Sequence, residues 1–169
     1  MARTGKVAGR DDFDAVMMTP FGGLGIRLDD DAIEEIVFVP PGTAARAPNH
    51  PAAVKACDEI GRYLVNPAYR IKSLRLKQRG TEFQRRVWNA IAAIPHGKTR
   101  RYGELAAELA SAPRAVGQAC GANPHPLVVP CHRVVSAQGL GGFAHAGDGF
   151  LLDIKRWLLA HESAHEAGG

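Results

Sequence analysis

Residues 123–135 read NPHPLVVPCHRVV. A thiol, Cys131, stands directly before an imidazole, His132, at the end of an apolar run stiffened by three prolines. Three roles suit such a pair: a thiol packed in a core, half of a metal site, or a nucleophile with its base. The thiolate is the reactive form, and a free cysteine titrates near ~8.5. Burial raises that value, so a base must take the proton during attack, as a neighbouring histidine can. Adjacent residues of an extended strand point opposite ways. Cys131 and His132 therefore need a turn, or a bridging water, to communicate. The imidazole also needs an orienting acid. Glu162 is the candidate, because it ends an apolar helix that must pack against the core. A metal site needs more ligands at suitable spacing. His96, His125, His145 and His161 are scattered and no CxxC pair occurs, so no metal is expected.

The elements that must hold these groups follow from the pattern. FDAVMM, GLGIRL and AIEEIVFV, separated by TPFGG and DDD, predict three short strands in an antiparallel meander. Val54, Cys57, Ile60 and Leu64 fall at helical spacing, with Cys57 as a small core hydrophobe. YRIKSLRLK reads as a short strand or an extended connector. Residues 1–12 read as a loose tail. These pieces make an α+β unit over residues 1–78, and a mainly helical unit over 79–165 follows. The second unit opens at GTEFQRRVWNAIAAIP. There Thr81 and Gln84 have capping-box spacing, and Phe83, Val87, Ile91 and Ile94 form one stripe. Pro95 and Gly97 end that helix. TRRYGELAAEL and SAPRAVGQACGAN predict two short helices, the second with Ser111 as N-cap and Pro113 in its first turn. Joined by a tight turn, they form a helix-turn-helix pattern. A last helix, from about Phe150 to His161, sets Phe150, Leu151, Ile154, Trp157, Leu158 and His161 on one face.

Bulk properties narrow the class. The 169 residues, 46% apolar and 22% charged, suit an ordinary globular protein of one or two domains. No apolar run approaches the roughly 18 residues of a membrane span, and the N-terminus lacks the apolar segment of a secretory signal. Three cysteines cannot form a disulfide framework, which points to a reducing cytoplasm. No GxGxxG after a strand and no P-loop occurs, so no nucleotide cofactor is implied. The net charge of +4 is unevenly spread: residues 70–101 carry 10 Lys/Arg against 1 Asp/Glu, while the segments on either side are net acidic. Such a block beside a helix-turn-helix points to a polyanionic partner.

PCHRVV, together with GTEFQRRVW, IPHGKTRRYGELA, PRAVGQACGANP and KRWLLAHE in the same order, resembles the O6-alkylguanine-DNA alkyltransferase family over about residues 80–162. The resemblance implies a small ribonuclease H-like α/β domain, then a helical domain with a winged-helix or helix-turn-helix element. It implies DNA repair by irreversible transfer of the alkyl group from O6-alkylguanine, and from O4-alkylthymine, to Cys131. His132 is then the base acting through a water, Glu162 its orienting acid, and Asn123 the tie between the helix-turn-helix and the active-site strand. Tyr102 and Lys155 help guanine leave. Arg114 is the finger that fills the gap left by the flipped base, in a helix that enters the minor groove. Thr99, Arg101, Ala115 and Gln118 complete the DNA-facing set. Tyr102, Cys120, Val134, Phe143 and Ala144 form the substrate pocket. The implied partner is double-stranded DNA, bound by a monomer capable of cooperative binding, with no cofactor and no membrane. Relatives that bind damaged DNA without catalysis replace the cysteine, which is present here.

The chain departs from the family in one loop. GGFAHAGDGFLL is several residues longer than the usual segment and has Phe143 where tyrosine is common. Cys120 is expected to pack rather than react, and His125 to lie exposed beside the active-site strand.

Overall fold

The structure, a computed structural model, describes residues 12–143 and 149–168, with side chains through Ser163. Residues 1–11 of the expected tail and part of the long loop, including Ala144, lie outside the described residues.

Alternating apolar residues build β1 (Ala15–Thr19), β2 (Gly22–Asp29) and β3 (Ala32–Phe38), an antiparallel meander in that order. Pairing of Leu24 with Phe38 and of Ile26 with Ile36 sets four apolar side chains on one face. Helix α1 (Pro51–Val65) packs across that sheet. Its buried residues are Ala53, Ala56, Glu59, Ile60 and Tyr63, a face rotated from the expected stripe. Val54 is 45% exposed and Cys57 only half-buried. Small alanines let the helix approach the sheet, and the larger Val54 turns to the rim. YRIKSLRLK runs as an extended connector, bridging Ile33 through Leu76.

Helix α2 (Glu82–Ala92) has both halves of the capping box, Thr81 with Gln84, and buries Val87, Trp88 and Ile91. The Trp88 indole donates to the Ala119 carbonyl at 2.8 Å. Strand β4 (Arg100–Arg101) leads into α3 (Tyr102–Glu108), then α4 (Pro113–Gly121). The two helices form the helix-turn-helix. Ser111 does not cap α4. Its backbone N–H closes the end of α3 on the Ala106 carbonyl at 2.8 Å, and Ala112 is the N-cap, followed by Pro113, which has no donor to satisfy. That closure puts Ala110 in the left-handed region, φ 52°. Strand β5 (Val134–Val135) pairs in parallel with β4, and α5 (Phe150–Gly168) completes the chain.

One cluster of buried apolar residues extends from β1 to Leu158 of α5. His125 is buried rather than exposed: its Nε2 donates to the Ile33 carbonyl at 3.0 Å, and the Ile36 N–H donates to the Pro124 carbonyl at 2.9 Å. The edge of β3 needs backbone partners, and the proline-rich run supplies them. Among the described residues, no helix is long and apolar enough to cross a membrane.

Candidate active site

The proline-rich run ends in a 3-10 turn, Cys131–Arg133, rather than a strand. Adjacent side chains therefore do not simply point opposite ways, as they would in an extended strand. Asn123, just past α4, fixes the position of the turn. Its Nδ2 donates to the Val129 carbonyl at 2.8 Å and to Cys131 Sγ at 3.1 Å, while its Oδ1 accepts from the His125 N–H at 2.9 Å.

His132 Nε2 lies 2.9 Å from each oxygen of Glu162, and both side chains are buried. A carboxylate only accepts, so Nε2 carries the proton and Nδ1 keeps its lone pair. Arg133 completes the cluster: its Nε donates to Glu162 at 2.7 Å and its guanidinium to the Ile94 carbonyl at 2.6 Å. Burial pushes the Glu162 carboxyl up. Its hydrogen bond to His132 and the charges beside it outweigh burial and hold the pKa below the ordinary value. Burial lowers the His132 pKa despite the pull of Glu162, so the imidazole is neutral at pH 7 and able to accept a proton. The adjacent Cys120 thiol and burial hold Cys131 well above the usual thiol range, against the pull of Asn123 and Lys155. At rest, Cys131 is a thiol that needs a base.

Lys155 is wholly buried, and its Nζ donates to the carbonyls of Val134 and Gly142, each at 2.8 Å. Burial pulls its pKa down to about 8. The Tyr102 hydroxyl donates to the Gly142 carbonyl at 3.3 Å, and burial keeps that phenol protonated by raising its pKa. Tyr102 lies over Gly141, which has φ 74°. A Cβ there would stand 2.9 Å from the ring, so no other residue fits without moving the tyrosine.

A cavity of about 350 Å³ opens over Cys131 between Tyr102, Arg114, Gly117, Cys120 and Phe143. Phe143 is held from behind by Phe38, with ring centroids 5.2 Å apart. Cys131, His132, Glu162, Asn123, Tyr102 and Lys155 therefore converge on one place. Val134, expected in the pocket, is fully buried and does not line this cavity; its carbonyl accepts from Lys155 instead. Arg114 and Gln118 are exposed on α4, with Ala115 half-buried between them, and Thr99 and Arg101 are exposed ahead of α3. Sequence reasoning missed Arg133, although it adjoins His132, and Gly142, whose carbonyl has no side-chain signature. Among the described residues, no group of three or more His, Cys, Asp or Glu could hold a metal ion.

Residues 82–164 match the family model described as the DNA-binding domain of 6-O-methylguanine DNA methyltransferase. The chain is 44% identical over 154 residues to the methylated-DNA–protein-cysteine methyltransferase of Mycolicibacterium paratuberculosis, covering 87% of this chain and 90% of that protein. It is 36% identical to the protein of the same name from Methanosarcina acetivorans, over 89% of this chain and 97% of that one. The crystal structure of Mycobacterium tuberculosis OGT in complex with DNA superposes with a TM-score of 0.73 at 33% identity, covering 89% of this chain and 92% of that one.

Proposed function

Because the chain belongs to the methylated-DNA–protein-cysteine methyltransferase family, we propose that it repairs duplex DNA by moving the alkyl group of an O6-alkylguanine onto Cys131. One observation carries this assignment. Cys131 floors a cavity that opens beside Arg114 of the helix-turn-helix, while His132 behind it is held by Glu162 with its Nδ1 lone pair free.

A base inside the stack cannot reach a buried thiol, so the damaged nucleotide rotates out into the cavity, at a cost of a few kcal/mol. Arg114, exposed at the cavity rim, fills the gap in the duplex. His132 draws the thiol proton through a bridging water. The Cys131 S–C bond forms as the C–O6 bond breaks, and the electron pair passes to the guanine. Tyr102, still protonated, donates to the leaving base, and the Lys155 ammonium steadies the developing charge. The same in-line displacement applies to O4-alkylthymine. The product thioether is stable at neutral pH, so each molecule acts once and needs no cofactor. The protein acts as a monomer in a reducing cytoplasm, which keeps Cys131 a free thiol. Residues 79–165 bind and react, and the N-terminal residues to position 78 buttress them.

The test is an intact mass after incubation with a duplex containing O6-methylguanine. A gain of one methylene, mapped to Cys131 and absent in Cys131→Ala, is expected. Unchanged mass with tight binding would instead assign the chain to non-catalytic relatives. Arg114→Ala should slow repair in duplex more than dealkylation of the free base analogue; equal slowing would remove the finger role.

A further inference from the structure

The basic block at residues 70–101 is not exhausted by the DNA-facing helices. Several of its cations are neutralised locally: Lys77 pairs with Asp29, and Arg100 with Glu104 and Glu108. Arg70 and Lys72 are exposed and make no ion pair among the described residues. Both line a second cavity, of about 510 Å³, between the connector after α1, the end of α2 and the run Leu127–Pro130. That volume lies within the roughly 300–1,000 Å³ of small-molecule sites. Arg133 also lines it, and no Asp or Glu does. Tyr63 stands in the same wall, 3% exposed, and its hydroxyl has no hydrogen-bond partner among the described residues. Burial keeps that phenol protonated and closes it off from the cavity itself. Tyr69 and Trp88 add aromatic surface.

We propose that this cavity is a second anion site, taking the phosphate of a nucleotide unit while the base lies against its aromatic wall. Arg70 and Lys72 supply the charge that a phosphate requires, and the absence of lining carboxylates removes repulsion. The occupant reaches Pro130 and Arg133, on either side of Cys131 and His132, so it meets the rear of the alkyl-transfer site rather than its mouth. The phosphate comes either from a free nucleotide or from a DNA strand beyond the lesion.

The experiment titrates the full chain with deoxyadenosine 5′-monophosphate and, separately, with an undamaged duplex. Binding is followed by calorimetry and by the indole 15N–1H signals of Trp88 and Trp157. Free-nucleotide occupancy predicts saturable binding that shifts Trp88, weakened at least tenfold in the double variant Arg70→Ala, Lys72→Ala. Strand occupancy predicts weak or no nucleotide binding, but a log–log salt slope for duplex binding lower by about two in the double variant. In both cases methyl transfer from saturating methylated duplex stays within twofold of wild type, which also reports that the variant folds. Nucleotide binding that shifts Trp157 instead, or duplex and nucleotide binding both indifferent to Arg70 and Lys72, overturns the site.

Discussion

Glu162→Gln tests the core of the site with almost no change in shape. Glu162 has two acceptor oxygens and serves two donors, His132 Nε2–H and Arg133 Nε–H. Both carboxylate oxygens stand 2.9 Å from His132 Nε2, so whichever way round a glutamine sits, its N–H₂ replaces one of them and points a donor at the ring proton. If the amide oxygen stays with the charged Arg133, the amide N–H₂ faces His132 and drives the ring proton from Nε2 to Nδ1. The lone pair that should serve Cys131 is then lost. General-base catalysis contributes ~10²–10⁴-fold, so the transfer rate should fall by about that factor. The fold should weaken as well. Breaking a fully buried ion pair costs ~3–5 kcal/mol. Arg133 is 12% exposed in its side chain and keeps its bond to the Ile94 carbonyl, so about 2–3 kcal/mol is expected. Rapid-quench single-turnover kinetics with protein in excess of methylated duplex give the rate, and urea unfolding gives the stability. A variant that transfers within threefold of wild type would refute the tautomer argument, because no other group among the described residues fixes the His132 ring.

Gly141→Ala should push Tyr102 off its bond to Gly142 and cut methyl transfer more than tenfold, while binding of undamaged duplex stays unchanged; loss of both would place the effect in the helix-turn-helix instead. Ala110→Gly should stabilise the protein by about 0.5–1 kcal/mol, since a left-handed alanine costs ~1–2 kcal/mol and glycine returns part of that through its unfolded freedom; urea midpoints decide it. Lys155 offers a pH test. Below about 8 the folded and unfolded chains both carry its charge, and the burial cost is present in full. Between about 8 and the ordinary 10.5 the folded state sheds its proton first, so stability rises with pH across that window. The stability difference between wild type and Lys155→Met should therefore move toward wild type from pH 8 to 10.5, and a flat difference would mean the ammonium is not depressed.

The chemistry was legible because it sits in short, dense motifs. Cys131, His132, Asn123 and Arg114 all lie in one stretch, and the capping box at Thr81 marks where the reactive half begins. What escaped were relations decided by packing. The face of α1 was misplaced because large apolar residues were weighted over Ala53 and Ala56, whose small size is what the sheet seam requires. Ser111 failed as a cap because the backbone of α3 had already claimed it. His125 looked like a polar residue in a loop, yet the edge of β3 needed a donor. Arg133 was passed over because a cation beside a histidine reads as surface until the buried carboxylate they share is seen. Sequence also left open whether the backbone turns at Cys131, which it does.

Leu127, four residues before the nucleophile, holds φ 73° while 93% of its surface is hidden. A bulky side chain in that region is strained, and such strain persists only where the surroundings over-determine it. Those surroundings are the fastenings of Pro124 and His125 to β3. The N-terminal sheet thus acts as the jig in which the nucleophile's run is clamped. Its sequence is free to drift wherever side chains face solvent, but the backbone edge from Ile33 to Ile36 must keep its shape, because Cys131 is positioned against it.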